Sequence, residues 1–220
     1  MAYGPIVPSE WRATFERTLQ ERLRVSLAGQ PRLVVRRNEV RVLASSSTDV
    51  AGTLALDHLT KSQSYALVAY AAEPAALRDL RHAASPPYAS RLLTEYAMAF
   101  TSSGERSRTF APTAGGAVGV PRDAVGVTST CDWIAERLID IFIPRVLDLV
   151  DLRPGVVANV AENPDDYAWP VLTAVAAMRK HGMTRAEVDL GRLLGRKVSR
   201  NRAFDAALLA SADRAAGGPM

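Results

Sequence analysis

Three histidines, His58, His82 and His181, are the side chains in this sequence best suited to proton transfer or metal ligation. They stand far apart, and none belongs to a His-Glu-x-x-His or comparable ligand spacing, so the sequence assigns no metal site. Asp57 and His58 precede Lys61-Ser62, an order that sets an acid, a base and a nucleophile close together along the chain. On a strand, however, adjacent residues point to opposite faces, and Asp57 and His58 would not share a site. Cys131 is the one thiol. It is expected at a helix N-terminus, where the dipole could favour the thiolate, but no histidine neighbours it and a buried, inert thiol is the simpler reading. A single cysteine also excludes an intramolecular disulfide and a cysteine-rich metal site. Gly115-Gly116-Ala117-Val118-Gly119 has neither a Lys-Ser/Thr pair nor a helix directly after it, so it matches neither the P-loop nor the dinucleotide fingerprint. No catalytic residue and no cofactor is assigned.

The remaining chemistry is electrostatic. Arg192, Arg196, Lys197, Arg200 and Arg202 place five cations within eleven residues, around a break expected at Gly195. Such a cluster is a solvated helix face, a surface for an acidic protein partner, or a phosphate-binding segment for nucleic acid. The formal net charge of +4 permits attraction to anions without requiring it. At 220 residues, 48% hydrophobic and 23% charged, the chain can bury a substantial core. Aromatics make up only 6%, so that core is expected to be aliphatic. The N-terminus has no basic region followed by an apolar run, and no stretch of about 18 apolar residues occurs. The expectation is a cytoplasmic chain without signal peptide or membrane span.

The elements that must position these residues follow from spacing. Ser9 is a natural N-cap, and Trp11, Phe15, Leu19 and Leu23, four apart, align on one helix face before Gly29 and Pro31 stop it. Residues 33–36 and 40–43 are short and β-branched, joined through Arg37-Asn38-Glu39, where Asn38 tolerates a left-handed conformation, so a hairpin is expected. Alternation over 53–61 and 65–71 predicts two more strands, with Leu54 and Leu56 on one face and Asp57 on the other; one long helix is the alternative. A short helix runs from Glu73-Pro74 to His82, and a second carries Tyr88, Leu92, Tyr96 and Phe100 at every fourth position. Residues 101–119 form a mobile loop or linker, and Val118, Val120, Val125 and Val127 suggest an edge strand. Ser129 or Thr130 caps the most apolar helix, which Pro144 should kink. Asn163-Pro164-Asp165-Asp166 starts a helix ending at His181-Gly182, Thr184 to Glu187 form a capping box, and a last helix covers 199–212.

The first helix, the hairpin around Asn38, a strand ending in Lys61-Ser62, a strand from Tyr65 and a late helix containing Trp133 together resemble an uncharacterised bacterial α+β family, a domain of unknown function. The resemblance covers roughly residues 9–180 and implies an α+β fold but no catalytic residue; the loop at 101–119 and the helical C-terminus depart from it. The expected architecture is therefore a small antiparallel sheet from the first half packed against a helical second half, with an all-α fold as the alternative. One domain over 1–220 is expected, which the loop at 101–119 could divide into 1–100 and 120–220. The functional expectation is a non-enzymatic binding protein, immunity-like (toxin-neutralising) or accessory, with an acidic protein as partner. An enzyme of unrecognised family and a nucleic-acid binder acting through the basic C-terminal segment are the alternatives.

Overall fold

The computed structural model describes residues 9–90, 92, 95–104, 110–111, 115–184, 191–195 and 199–216. The fold is α+β. Helix α1 (Ser9–Ser26) buries Phe15, Leu19 and Leu23, the stripe that their four-residue spacing dictates. Strands β1 (Leu33–Arg36) and β2 (Glu39–Leu43) form an antiparallel hairpin with Arg36 opposite Glu39, so only Arg37 and Asn38 make the turn. Strand β3 (Val50–Leu59) pairs antiparallel with β2 and buries Gly52, Leu54 and Leu56 while Asp57 stays exposed, as alternation predicts. After β4 (Ser64–Ala72), helix α2 (Ala75–Ala84), β5 (Tyr96–Thr101) and β6 (Ala117–Gly119), the sheet has the order β1-β2-β3-β4-β5, with β6 also pairing β4. Helices α3 (Ala124–Arg137), α4 (Ile143–Val150), α5 (Gly155–Glu162), α6 (Pro170–His181) and α7 (Arg202–Ala216) follow.

Two compact units emerge, each made of two stretches of chain: Met1–Ala69 with Phe100–Pro144, and Tyr70–Ala99 with Arg145–Met220. In the first unit α1 packs on α3. Phe15 stacks on Tyr65 at 5.0 Å, and the Tyr65 hydroxyl donates to Glu16. Burial, reinforced by that bond, holds the phenol well above its usual pKa. Phe110, Phe142 and Trp133 make a neighbouring aromatic cluster. Ser102, fully buried, accepts from the Leu67 N–H at 2.8 Å and donates to the Gly116 carbonyl at 2.6 Å. It supplies β4 with a partner at the residue just past the stretch that β6 pairs, Ser64 to Ala66. In the second unit α6 packs against α2, α5 and α7 and is buried from Pro170 to Met178. The backbone N–H of Ala168 donates to the Ala97 carbonyl at 2.9 Å, tying the approach to α6 to β5.

Several sequence expectations are corrected. Residues 96–101 are a strand, not the end of a helix through Tyr88 and Phe100; every fourth residue is also every second pleat, so that spacing suits one face of a strand equally well. Val125 and Val127 belong to α3 rather than to an edge strand, because Asp123 caps the helix by accepting from the Gly126 N–H at 2.7 Å. Ser129 and Thr130 are therefore interior to α3. Pro144 does disturb the helix, as expected. The Ile143 N–H reaches back to the Leu138 carbonyl, five residues away, in a π-turn over Leu138–Phe142 directly before the proline. Asn163 opens only a 3₁₀ turn, Pro164–Asp166, and α6 begins at Pro170. Helix α5, unexpected from the sequence, lies just before Asn163. The last helix starts at Arg202, where Asn201 Oδ1 accepts from the Phe204 N–H at 3.1 Å. The capping box falls on residues that lie, apart from Thr184, outside those described.

Candidate functional site

The histidines do not assemble into a site. His58 lies in the first unit with its ring 5.2 Å from that of Tyr65, and its buried Nε2 has no hydrogen-bond partner among the described residues. His82 is exposed on α2, and His181 Nε2 lies 2.7 Å from the Leu152 carbonyl, both in the second unit. Among the described residues no group of three His, Cys, Asp or Glu side chains could hold a metal ion. Cys131 is fully buried and its thiol donates to the Phe15 carbonyl at 3.5 Å. Burial, followed by the nearby Asp132 carboxylate, pushes its pKa up to about 12, the opposite of an activated nucleophile. Lys61 and Ser62 sit in the exposed turn between β3 and β4.

Of the C-terminal cations, Arg196 and Lys197 lie outside the described residues, and Arg192 belongs to a 3₁₀ turn, Gly191–Leu194. Arg200 and Arg202 are exposed, Arg202 as the first residue of α7. Beside Arg200, the buried Asp205 accepts from Tyr88 Oη at 2.5 Å and Ser199 Oγ at 2.6 Å. Those two hydroxyls solvate the carboxylate and anchor the start of α7.

A second cationic site was not anticipated from the sequence. Where α1 meets the β1–β2 hairpin, a groove of about 460 Å³ is lined by Gln20, Arg24, Arg36, Arg37, Asn38, Glu39 and Arg41. Glu39 is the single carboxylate, and it is engaged by Arg41 Nε at 2.6 Å. Arg24, Arg36 and Arg37 are exposed and, among the described residues, none has a carboxylate partner. The fold positions them deliberately. Asn38 donates its side-chain amide to the Leu56 carbonyl while its own carbonyl accepts from the Leu56 N–H at 2.9 Å, which clamps the turn to β3. Asn38 is thereby not the left-handed residue that its type suggests: Arg37 takes that conformation, at φ 49°. The Gln20 carbonyl, in the amide orientation that satisfies both its ends, accepts from the Arg37 N–H at 2.8 Å and from Arg24 Nη2 at 3.1 Å. One side chain thus sets the arginine of the helix and the arginine of the turn around the same space. The sequence signal was the Arg36-Arg37 doublet at a hairpin turn, where glycine or asparagine is the ordinary choice.

Three exposed guanidinium groups lining one groove favour an anion and disfavour one another. Among the described residues no helix is long and apolar enough to cross a membrane. Comparison of the chain with protein-family models, with curated proteins and with solved structures finds no match.

Proposed function

We propose that this chain is a non-enzymatic, cytoplasmic binding protein whose partner is another protein with an acidic surface, in an immunity-like or accessory role. The observation that carries the reading is the convergence of Arg24, Arg36 and Arg37 on one groove without carboxylate partners among the described residues. Guanidinium groups present a planar fork that matches carboxylates, and an unpaired cluster of them speeds encounter with an acidic surface. Among the described residues the groove has no aromatic lining residue on which a base could stack, which favours carboxylates over single-stranded nucleic acid.

The test is titration of the labelled protein with poly-L-glutamate, followed by anisotropy. Binding that weakens with salt is expected, and Arg24→Gln/Arg36→Gln should weaken it about tenfold, the equivalent of roughly 1.4 kcal/mol. Poly-L-glutamate binding that the double variant leaves unchanged overturns the assignment to this groove. Arg200 and Arg202, exposed at the start of α7, support nucleic acid as a second reading. Duplex DNA binding that is lost on replacing both by Gln, but kept in the groove variant, would establish it instead.

A further inference from the structure

The second unit carries a cleft of different chemistry. It encloses about 360 Å³, and Glu73, Arg81, Ser90, Tyr96 and Trp169 line it. Cavities of about 300–1,000 Å³ with aromatic walls and a few convergent polar groups are the usual form of small-ligand sites. Glu73 and Arg81 form a two-pronged pair, Nε to Oε1 and Nη2 to Oε2, each at 2.8 Å. The Glu73 side chain is only 14% exposed, and the Arg81 guanidinium lies 5.9 Å from the centre of the Trp169 ring. Tyr96 is 43% exposed and its ring sits 5.1 Å from that of Tyr70, itself 38% exposed.

We propose that this cleft binds a neutral polyhydroxylated ring, a sugar unit, with its hydroxyls on the Glu73–Arg81 pair and its C–H face on Tyr96. Three features select that chemistry. Glu73 is also approached by Arg78 Nε at 3.8 Å, but Arg78 is not among the lining residues; within the lining the Glu73–Arg81 pair cancels its own charge, so an anion meets Glu73 there and a cation meets Arg81. The pair still presents carboxylate lone pairs beside the Nη1 hydrogens of Arg81, which Glu73 does not engage, acceptors next to donors, which is what two adjacent hydroxyls require. The exposed Tyr96 ring, backed by Tyr70 behind it, supplies an apolar, polarizable wall of a kind the arginine groove does not show. The walls are also held in place by the fold. Glu73 immediately precedes α2 and Arg81 lies two turns along it, while the Ala168–Ala97 backbone bond fixes Trp169 beside the start of β5.

The test uses free glucose, galactose, mannose and N-acetylglucosamine as probes, with saturation-transfer NMR on the full chain. Transfer to the ring protons of at least one probe is expected, saturating with concentration. Tyr96→Ala, an exposed position whose replacement leaves the fold intact by circular dichroism, should weaken it at least about fivefold. Glu73→Gln should do the same by removing the acceptor, whereas Arg36→Gln in the other unit should leave it unchanged. The proposal is overturned if no probe shows transfer, or if Tyr96→Ala leaves transfer as it was. It is equally overturned if indole, which has no hydroxyl, binds at the same place more tightly than any sugar, because the cleft is then merely apolar.

Discussion

Replacing Arg37 by glycine separates the demands of the fold from those of the groove. Arg37 holds φ 49° in a two-residue turn. A side chain in that left-handed region costs about 1–2 kcal/mol, and glycine escapes the clash while adding about 0.5–1 kcal/mol of chain entropy to be lost on folding. The difference predicts that Arg37→Gly stabilises the protein by about 0.5–1 kcal/mol. The bond from the residue 37 N–H to the Gln20 side-chain carbonyl survives, because residue 37 contributes only its backbone to it. Anion binding should fall in the same variant, since one of the three groove guanidinium groups that have no carboxylate partner among the described residues has gone. Urea unfolding gives the first quantity and the poly-L-glutamate titration the second, while Arg37→Lys should leave stability within about 0.5 kcal/mol, because the backbone strain stays. The reasoning fails if Arg37→Gly is destabilised by more than about 1 kcal/mol, which would make the arginine a structural residue. It fails as well if the glycine variant binds as tightly as the parent.

Ser102→Ala should destabilise the protein by about 2–4 kcal/mol, because it strands the buried Leu67 N–H and Gly116 carbonyl together, each at about 1–3 kcal/mol. The exposed neighbour Ser103→Ala should change urea stability by less than about 0.5 kcal/mol, and equal effects at the two sites would count against the bridging role. Burial holds the Asp148 carboxyl above the ordinary range, so the folded state keeps this proton at a pH where the unfolded chain has lost it. That contribution is fully present below the ordinary carboxylate pKa and is lost as pH rises through the raised one; urea midpoints of Asp148→Asn should lack this decline, and parallel pH profiles would contradict it. Cys131 should react with iodoacetamide only as fast as the protein unfolds, and rapid labelling of the native state would refute its assignment as a buried thiol.

Much of the first half could be read from local pattern. The stripe of Phe15, Leu19 and Leu23 and the alternation around Leu54 and Leu56 each report one buried face, and one buried face is what these elements have. Residues 88–100 were ambiguous in principle, since an interval of four satisfies a helix turn and a strand pleat together. Asp123 and Gly126 make the cap of α3, yet the valines around them spell a strand to any reader of propensity. Helix α5 follows Pro154 with no capping side chain, so it carries no start signal. The groove was invisible for another reason: Arg24 sits on a helix and Arg36, Arg37 and Arg41 on a hairpin, and only the docking of one on the other collects them. The cleft in the second unit similarly draws Glu73 and Trp169 from that unit's two separate stretches of chain.

The interlaced composition of the two units governs the order in which the protein can be made. The chain leaves the first unit after Ala69 and returns to it at Phe100, and α3, against which α1 packs, lies in the returning stretch. A nascent chain that has emerged only as far as the first sheet strands therefore exposes the stripe of Phe15, Leu19 and Leu23 with its eventual cover still unsynthesised. The first unit closes only once residues far downstream have left the ribosome, and by then the front segment of the second unit, Tyr70–Ala99, is already outside and waiting. Neither unit corresponds to a contiguous stretch of gene, so no single continuous deletion removes one whole unit and leaves the other intact.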